Sequence, residues 1–272
     1  MRLTPEQLTS YERDGYLFLP ELFSPQEVEV MNRQLPELFA DRSERRVVEK
    51  GSGAVRSVYG SHSTNDVFRR LAHHPRLVEP ALQILRNPVY IYQFKINAKV
   101  AFLGDVWEWH QDYIFWQRED GVPAPELVTL SVFLDEVTEF NGPLLLVPGS
   151  HQAGVIEPPP KEGIPEGYEG SPDWIANLTA DLKYSVDKDS LSRLVDRGGI
   201  VAPKGPAGSV LFFHPNLVHG SVPNLSPQDR KIVLVTYNRV DNLPSFRENP
   251  RPEFLVSRDF TPVQPLADNA LL

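Results

Sequence analysis

Cysteine is absent from the 272 residues, which excludes disulfides, zinc–thiolate centres, iron–sulfur ligation and a cysteine nucleophile. Cationic residues are in deficit: 27 Lys and Arg face 36 Asp and Glu, a formal charge of -9 with no concentrated basic stripe. Such a field repels phosphates and acidic lipid surfaces, so no nucleic-acid or membrane partner is expected. Long apolar runs are missing too. The opening MRLTPEQLTSYERDGYLFLP lacks a signal-peptide core. No later stretch reaches the roughly 18–20 apolar residues of a membrane span. No internal repeat is visible. The expectation is a soluble cytoplasmic protein, with monomer and homodimer both open.

What is present begins with helix starts. Thr4-Pro5-Glu6-Gln7 and Ser24-Pro25-Gln26-Glu27 both read as capping boxes, the first helix ending near Gly15 and the second interrupted by Pro36. From Asp41 to His62 the charged, glycine-containing sequence predicts a solvated loop, with a substrate-side loop as the sharper alternative. Residues 67–85 read as helical. Beyond Pro88 the texture becomes period-two and β-branched: Val89 to Asn97, Val128 to Leu134, Leu144 to Val147, Gly208 to Phe213 and Arg230 to Tyr237. Short strands separated by turns predict an antiparallel sandwich or barrel. Gln93, Lys95 and Asn97 share a polar face that meets either water or a polar pocket. The Pro- and Gly-rich sequence after Val155 reads as a surface insertion, about 155–197.

The chemistry centres on Trp109-His110-Gln111-Asp112, with His219 far downstream and Arg230 eleven positions beyond it. On a strand, alternate side chains share a face, so His110 and Asp112 would present an imidazole and a carboxylate to one ion. A second imidazole completes the two-histidine, one-carboxylate set that binds iron(II) and leaves coordination positions open. His73, His74 and His214 lack a carboxylate at useful spacing and read as surface or packing residues, and His62 and His151 as loop supports.

In their order along the chain, RSVYGSH (56–62), YIYQFKIN (90–97), WEWHQDYIFWQREDGVP (107–123), NGPLLLVPGSH (141–151) and HGSVPNLSPQDR followed by VTYNRVDN (219–242) carry a pattern. The chain resembles the phytanoyl-CoA dioxygenase superfamily of iron(II)- and 2-oxoglutarate-dependent oxygenases, most of all its ectoine-hydroxylating branch. The resemblance implies an all-β core with flanking helices, a double-stranded β-helix of the cupin-like jelly-roll kind. One domain over 1–272 would then comprise an N-terminal helical part to about 87, the jelly-roll core from about 88 to 240, and the insertion. It implies iron ligation by His110, Asp112 and His219, and a clamp by Arg230 on the distal carboxylate of 2-oxoglutarate. Gln93, Asn97, Thr129 and Ser221 would surround that co-substrate, and Trp107, Trp116, Phe213 and Lys95 the substrate.

The implied reaction consumes oxygen and 2-oxoglutarate and hydroxylates an unactivated carbon. Related halogenases lack the carboxylate that Asp112 provides, so hydroxylation is favoured over halogenation. The sequence departs from the ectoine pattern at Gln117, where a histidine is usual, at Lys95 for arginine and at Trp107 for phenylalanine. These departures widen the substrate class to free or modified amino acids, cyclic imino acids and small natural-product intermediates beside ectoine. Two alternatives stand next to this reading: an oxygenase of acyl-coenzyme A thioesters, held by the Arg42, Arg45, Arg46 and Lys50 cluster, and a non-catalytic metal-binding jelly-roll protein.

Overall fold

Both capping boxes form. In the computed structural model, which describes residues 1–272, the Thr4 hydroxyl accepts from the Gln7 N–H while Gln7 accepts from the Thr4 N–H, opening α1 (Pro5–Asp14). Gly15 closes that helix at φ 78° and delivers the chain to β1 (Tyr16–Leu19). Ser24 and Glu27 repeat the reciprocal bonds at α2 (Pro25–Asn32), and Pro36 falls in the first turn of a separate α3 (Leu35–Ala40). The chain continues through β2 (Arg46–Val48), β3 (Val55–Tyr59), α4 (Asp66–Ala72), α5 (Pro75–Leu85), β4 (Val89–Lys99) and β5 (Trp107–His110). Then follow α6 (Asp112–Asp120), β6 (Leu127–Phe133), β7 (Leu144–Leu146), α7 (Lys188–Gly198), β8 (Val210–Phe213), β9 (His219–Ser221) and β10 (Arg230–Arg239).

Alternation sorts the strands into two faces. Val128, Leu130 and Val132 of β6, Phe212 of β8, Val233 and Val235 of β10 and Phe94 and Ile96 of β4 pack with helical residues such as Met31, Phe68, Leu71 and Leu77. Phe133, Leu211, Phe213, Ile232 and Leu234 face the other way and pack with Leu146 and Leu217. Helices therefore cover one side of the large sheet and a small sheet covers part of the other.

The expected all-β, cupin-like jelly roll is not what forms. The large sheet has seven strands in the order β1-β8-β6-β10-β4-β3-β2, and the small one has three, β5-β9-β7. The two sheets share no strand and do not close into a barrel, so the architecture is mixed α/β with several helices. Strand spacing predicts antiparallel pairing but does not say how many strands each sheet receives. The predicted loop over Asp41 to His62 is also corrected, since β2 and β3 extend the large sheet at its far edge. Its charges mislead because Arg56 and Glu49 are buried and paired with each other, at 3.0 and 3.1 Å. No helix is long and apolar enough to cross a membrane.

A β-bulge sets the polar face of β4. Opposite β10, Gln93 pairs with Thr236 and Ile91 with Tyr237, leaving Tyr92 as the extra residue. Val89 and Ile91 before the bulge, and Phe94 and Ile96 after it, all reach the helical core. Gln93 and Lys95 consequently face the interior of the opposite side rather than bulk water.

A buried ion pair is among the contacts that tie in the C-terminal segment. Arg251 donates to both oxygens of Asp120 at 2.8 and 2.5 Å, and the Tyr92 hydroxyl donates to the same carboxylate. Asp120→Ala leaves Arg251 buried and unpaired, so urea unfolding should show a loss of about 3–5 kcal/mol; a loss below about 1 kcal/mol would mean water replaces the carboxylate. His214 supplies an acid-sensitive point. Its Nδ1 accepts from the Asn216 N–H at 3.0 Å, and burial together with nearby His151 pushes its pKa down to about 4. The unfolded chain takes up this proton first, near the ordinary pKa of about 6.5. Stability from this group is complete above about 6.5 and lost as pH falls towards 4, and His214→Gln should flatten that part of the stability–pH curve.

Candidate metal centre and active site

The two histidines are brought together by strand register. His110 ends β5, His219 begins β9, and they are Cα partners across the antiparallel pair. Gly220 permits the approach, since a Cβ there would sit 2.9 Å from the Trp107 carbonyl oxygen. Asp112 arrives differently from the expectation: the strand ends at His110, Gln111 turns the chain, and Asp112 is the first residue of α6. The helix start, not strand alternation, aims the carboxylate at the imidazoles. A negative charge in a first helical turn is also favoured by the helix dipole.

The donor set fits a divalent cation. Asp112 Oδ1 lies 3.6 Å from His110 Nε2, Oδ2 lies 3.9 Å from His219 Nε2, and the three ligand atoms are within 4.8 Å of one another. All three residues are buried. The Nδ1 atoms of His110 and His219 sit 2.6 and 2.9 Å from the carbonyls of Glu108 and Leu217. A carbonyl only accepts, so each Nδ1 carries the proton and each Nε2 presents a lone pair to the centre. Burial lowers the His219 pKa to about 4, assisted by His110 and opposed by Asp112. Burial alone would raise Asp112, but the Lys95 charge and the two histidines outweigh it and hold the carboxyl well below its usual range. An ionised carboxylate beside imidazole lone pairs is the ligating state.

On one side of the triad the sheets enclose polar groups in need of partners. Arg230 is buried yet makes no ion pair; its Nε and Nη2 donate to the Gly142 carbonyl at 3.1 and 2.7 Å. Burial pulls its pKa down to about 10, opposed by the Asp135 charge and assisted by Arg56. The Ser221 and Ser131 hydroxyls are buried without a hydrogen-bond partner. A guanidinium fork and free hydroxyls match a carboxylate ligand such as 2-oxoglutarate. Phe213 lies 5.1 Å from the His219 ring and opposite Thr129, whose hydroxyl bonds Thr236 at 3.0 Å, while Asn97 accepts from Ser57 at 2.9 Å.

A cavity on the other side collects Lys95, Gln93, Trp107 and Trp116 with His110 and Asp112. Strict alternation would turn Trp107 away from His110, but the β5–β9 pairing shifts register between them and Trp107 lines the cavity. Gln93 donates to the Leu255 carbonyl at 2.8 Å, whereas the Lys95 ammonium has neither an ion pair nor a hydrogen bond to the protein. Asn97, Thr129, Ser221, Phe213 and Arg230 do not line this cavity. Phe115 does line it, and sequence reasoning missed Tyr59, Asn177, Leu178, Leu182 and Arg251, which also do. It also missed Arg56, whose guanidinium stacks 3.7 Å above the Trp107 ring and donates to the Val106 and Leu178 carbonyls. Only the RSVYGSH stretch pointed towards that residue.

Removing Asp112 or His219 by substitution with alanine should weaken iron(II) binding by at least about 100-fold, beyond the cost of losing an outer-shell partner. Anaerobic calorimetric titration reads this directly; undiminished affinity in a folded variant would place the ion elsewhere.

A family model described as Phytanoyl-CoA dioxygenase (PhyH) matches residues 11–232. The chain is 43% identical to an L-proline trans-4-hydroxylase of Streptomyces griseoviridis, covering 94% of this chain and 93% of that one. It is 39% identical to an ectoine dioxygenase of Bordetella bronchiseptica, covering 97% and 86%. Among solved structures, EctD from S. alaskensis with bound Fe superposes with a TM-score of 0.80 at 32% identity, over 97% of this chain and 87% of that one. The same protein with 2-oxoglutarate and 5-hydroxyectoine gives a TM-score of 0.79 at 33% identity, over 97% and 86%. Taken with the buried triad, these similarities show that the chain belongs to the phytanoyl-CoA dioxygenase family and is an iron(II)- and 2-oxoglutarate-dependent oxygenase.

Proposed function

We propose that this enzyme hydroxylates an unactivated ring carbon of a small zwitterionic amino or imino acid, with proline-sized rings the first candidates. The observation that carries the reading is the unpaired Lys95 ammonium in the cavity beside Asp112. Burial lowers its pKa while Asp112 opposes that shift, so a second carboxylate, brought by the substrate, would be held there as a counter-charge. The buried Tyr59 hydroxyl and Asn177 Oδ1 also lack partners and are available to a polar ligand. Trp107, Phe115 and Trp116 supply apolar and π faces for a ring and its ammonium. An L-proline hydroxylase and ectoine dioxygenases among the relatives fit this substrate size.

In this reading His110, Asp112 and His219 hold iron(II), and Arg230 with Ser221 holds 2-oxoglutarate. When bound, the pair would supply the oxidation with dioxygen as the oxidant: one oxygen atom enters a carbon–hydrogen bond of the substrate and the other enters succinate as 2-oxoglutarate loses carbon dioxide. The protein's own contribution is placement. Lys95 fixes the carboxylate end of the substrate, and the aromatic walls orient its ring. Gln93, which lines the cavity, is held by its bond to Leu255, while Asn97 and Thr129 bond Ser57 and Thr236 away from it. Three of the four basic residues that could hold a coenzyme A thioester are otherwise engaged, since Arg45 donates to Gly60, Arg46 to Phe39, and Lys50 pairs with Glu166, which leaves Arg42 alone to offer it a charge. The cysteine-free, acidic composition fits a cytoplasmic enzyme acting on a free metabolite.

Anaerobic reconstitution with iron(II) and 2-oxoglutarate, then oxygen, should be run against proline, pipecolate, ectoine, linear amino acids and their N-acyl and carboxamide derivatives. A free-carboxylate ring compound should gain one oxygen atom with matching succinate by mass spectrometry. Lys95→Met should raise the KM for that substrate about tenfold or more, the value of one charged hydrogen bond, with the KM for 2-oxoglutarate little changed. Equal turnover of the acid and its carboxamide would rule Lys95 out as the carboxylate partner.

A further inference from the structure

Lys99, the last residue of β4, is 1% exposed and is used by neither the metal site nor the substrate cavity. Its ammonium donates to two backbone carbonyls, those of Asp105 and Val222, the latter at 2.8 Å. Asp105 stands two residues before Trp107, where β5 begins, and Val222 directly follows Ser221, where β9 ends. Trp107 and Ser221 are themselves paired. One side chain therefore joins the open ends of the two strands that carry His110 and His219.

The same side chain lies behind the arginine of the co-substrate site. Arg230 and Lys99 are Cα partners in the β10–β4 register. Gly142, whose carbonyl accepts both Arg230 bonds, packs its backbone against the Lys99 stem: a Cβ on Gly142, at φ +77°, would lie 2.5 Å from Lys99 Cδ and 2.8 Å from the Val222 oxygen. Neither side chain has a carboxylate within ion-pair distance, and the one buried carboxylate nearby, Glu49, is committed to Arg56. Burial, then Arg230 and Arg56, brings the Lys99 pKa down to about 6 against the opposing pull of Glu49 and Asp105. Burying an amine among cations is unfavourable for folding, and a methionine of similar length would fill the space at less cost.

We propose that Lys99 is a positioning residue for 2-oxoglutarate: it braces the carbonyl that aims Arg230 and locks the ends of the two metal-ligand strands at the co-substrate side. This rests on the assignment of Arg230 to the co-substrate. Lys99 does not touch the reacting atoms. It acts through Gly142 and Val222, so its loss should be felt by the ligand that Arg230 and Ser221 hold and much less by the ligand at Lys95.

The test titrates 2-oxoglutarate anaerobically into the iron(II)-loaded enzyme and follows the visible charge-transfer absorption of the chelate, beside separate titrations of iron(II) alone. Lys99→Met should raise the 2-oxoglutarate Kd about tenfold or more, as outer-shell losses at metal sites do, with Lys99→Arg recovering part of the affinity. The iron(II) Kd and the substrate KM should move far less, and succinate should form in excess of hydroxylated product. Gly142→Ala attacks the same contact from the other side and should give the same selective loss, which covers the case of a Lys99 variant that does not fold. An unchanged 2-oxoglutarate Kd in folded Lys99→Met, or equal losses for iron, co-substrate and substrate, overturns the proposal. Failure of the wild-type enzyme to bind 2-oxoglutarate would instead refute the Arg230 assignment.

Discussion

The register between β5 and β9 is the constraint on which the centre depends. It sets His110 opposite His219, and a slip of one residue would turn one imidazole to the far face of the sheet. Gly220 allows the backbones to meet, the Glu108 and Leu217 carbonyls fix which ring nitrogen faces inward, and the break after His110 lets α6 begin on Asp112. Two ligands come from one short pair of strands and the third from the helix that leaves it. No long lever separates them, which keeps the donor geometry insensitive to motion at the surface.

Charge is distributed unevenly about this centre. The chain as a whole carries a formal charge of -9, yet the interior near the triad holds Lys95, Lys99, Arg56 and Arg230 against Asp112 and Glu49. Arg56 is neutralised by Glu49 and spends its other nitrogens on the Val106 and Leu178 carbonyls. Arg230 and Lys95 have no such partner. Unpaired buried cations lower stability unless an anion arrives. A site of this kind gives up folding energy and recovers it as affinity for carboxylates.

Much of this was legible before any coordinates. Capping boxes at Thr4 and Ser24 and the turn at Gly15 rest on local chemistry that tertiary context did not override. The pairing of His110 with Asp112 was found for a partly mistaken reason, because alternation and a helix start both bring a residue two positions on into reach. The closed jelly roll was overread, since strand periodicity carries no information on how strands are shared between sheets. Arg56 and Glu49 were hidden inside a charged run because composition cannot distinguish a solvated charge from a buried ion pair. Arg251 lies beyond any periodic pattern, in a proline-rich segment that tertiary contacts, among them its pairing with Asp120, bring to the cavity.

The polar row on β4 bears on how two acids are handled at one centre. After the bulge at Tyr92, Gln93, Lys95, Asn97 and Lys99 alternate with Phe94 and Ile96 of the core. At about 3.3 Å per residue, the Cα atoms of Lys95 and Lys99 are roughly 13 Å apart along one rigid strand. Lys95 stands in the cavity beside His110 and Asp112, and Lys99 stands opposite Arg230. Both residues extend from a central strand paired with β10 and β3, so the distance between the Lys95 cavity and the Arg230 site is set by backbone rather than by flexible loops. A strand slip or a change in the bulge would move both amines together and leave the metal ligands, which belong to other elements, where they are. The placement of the acids relative to the ion is therefore governed by the seam between the two sheets, and that seam is where Lys99 is anchored.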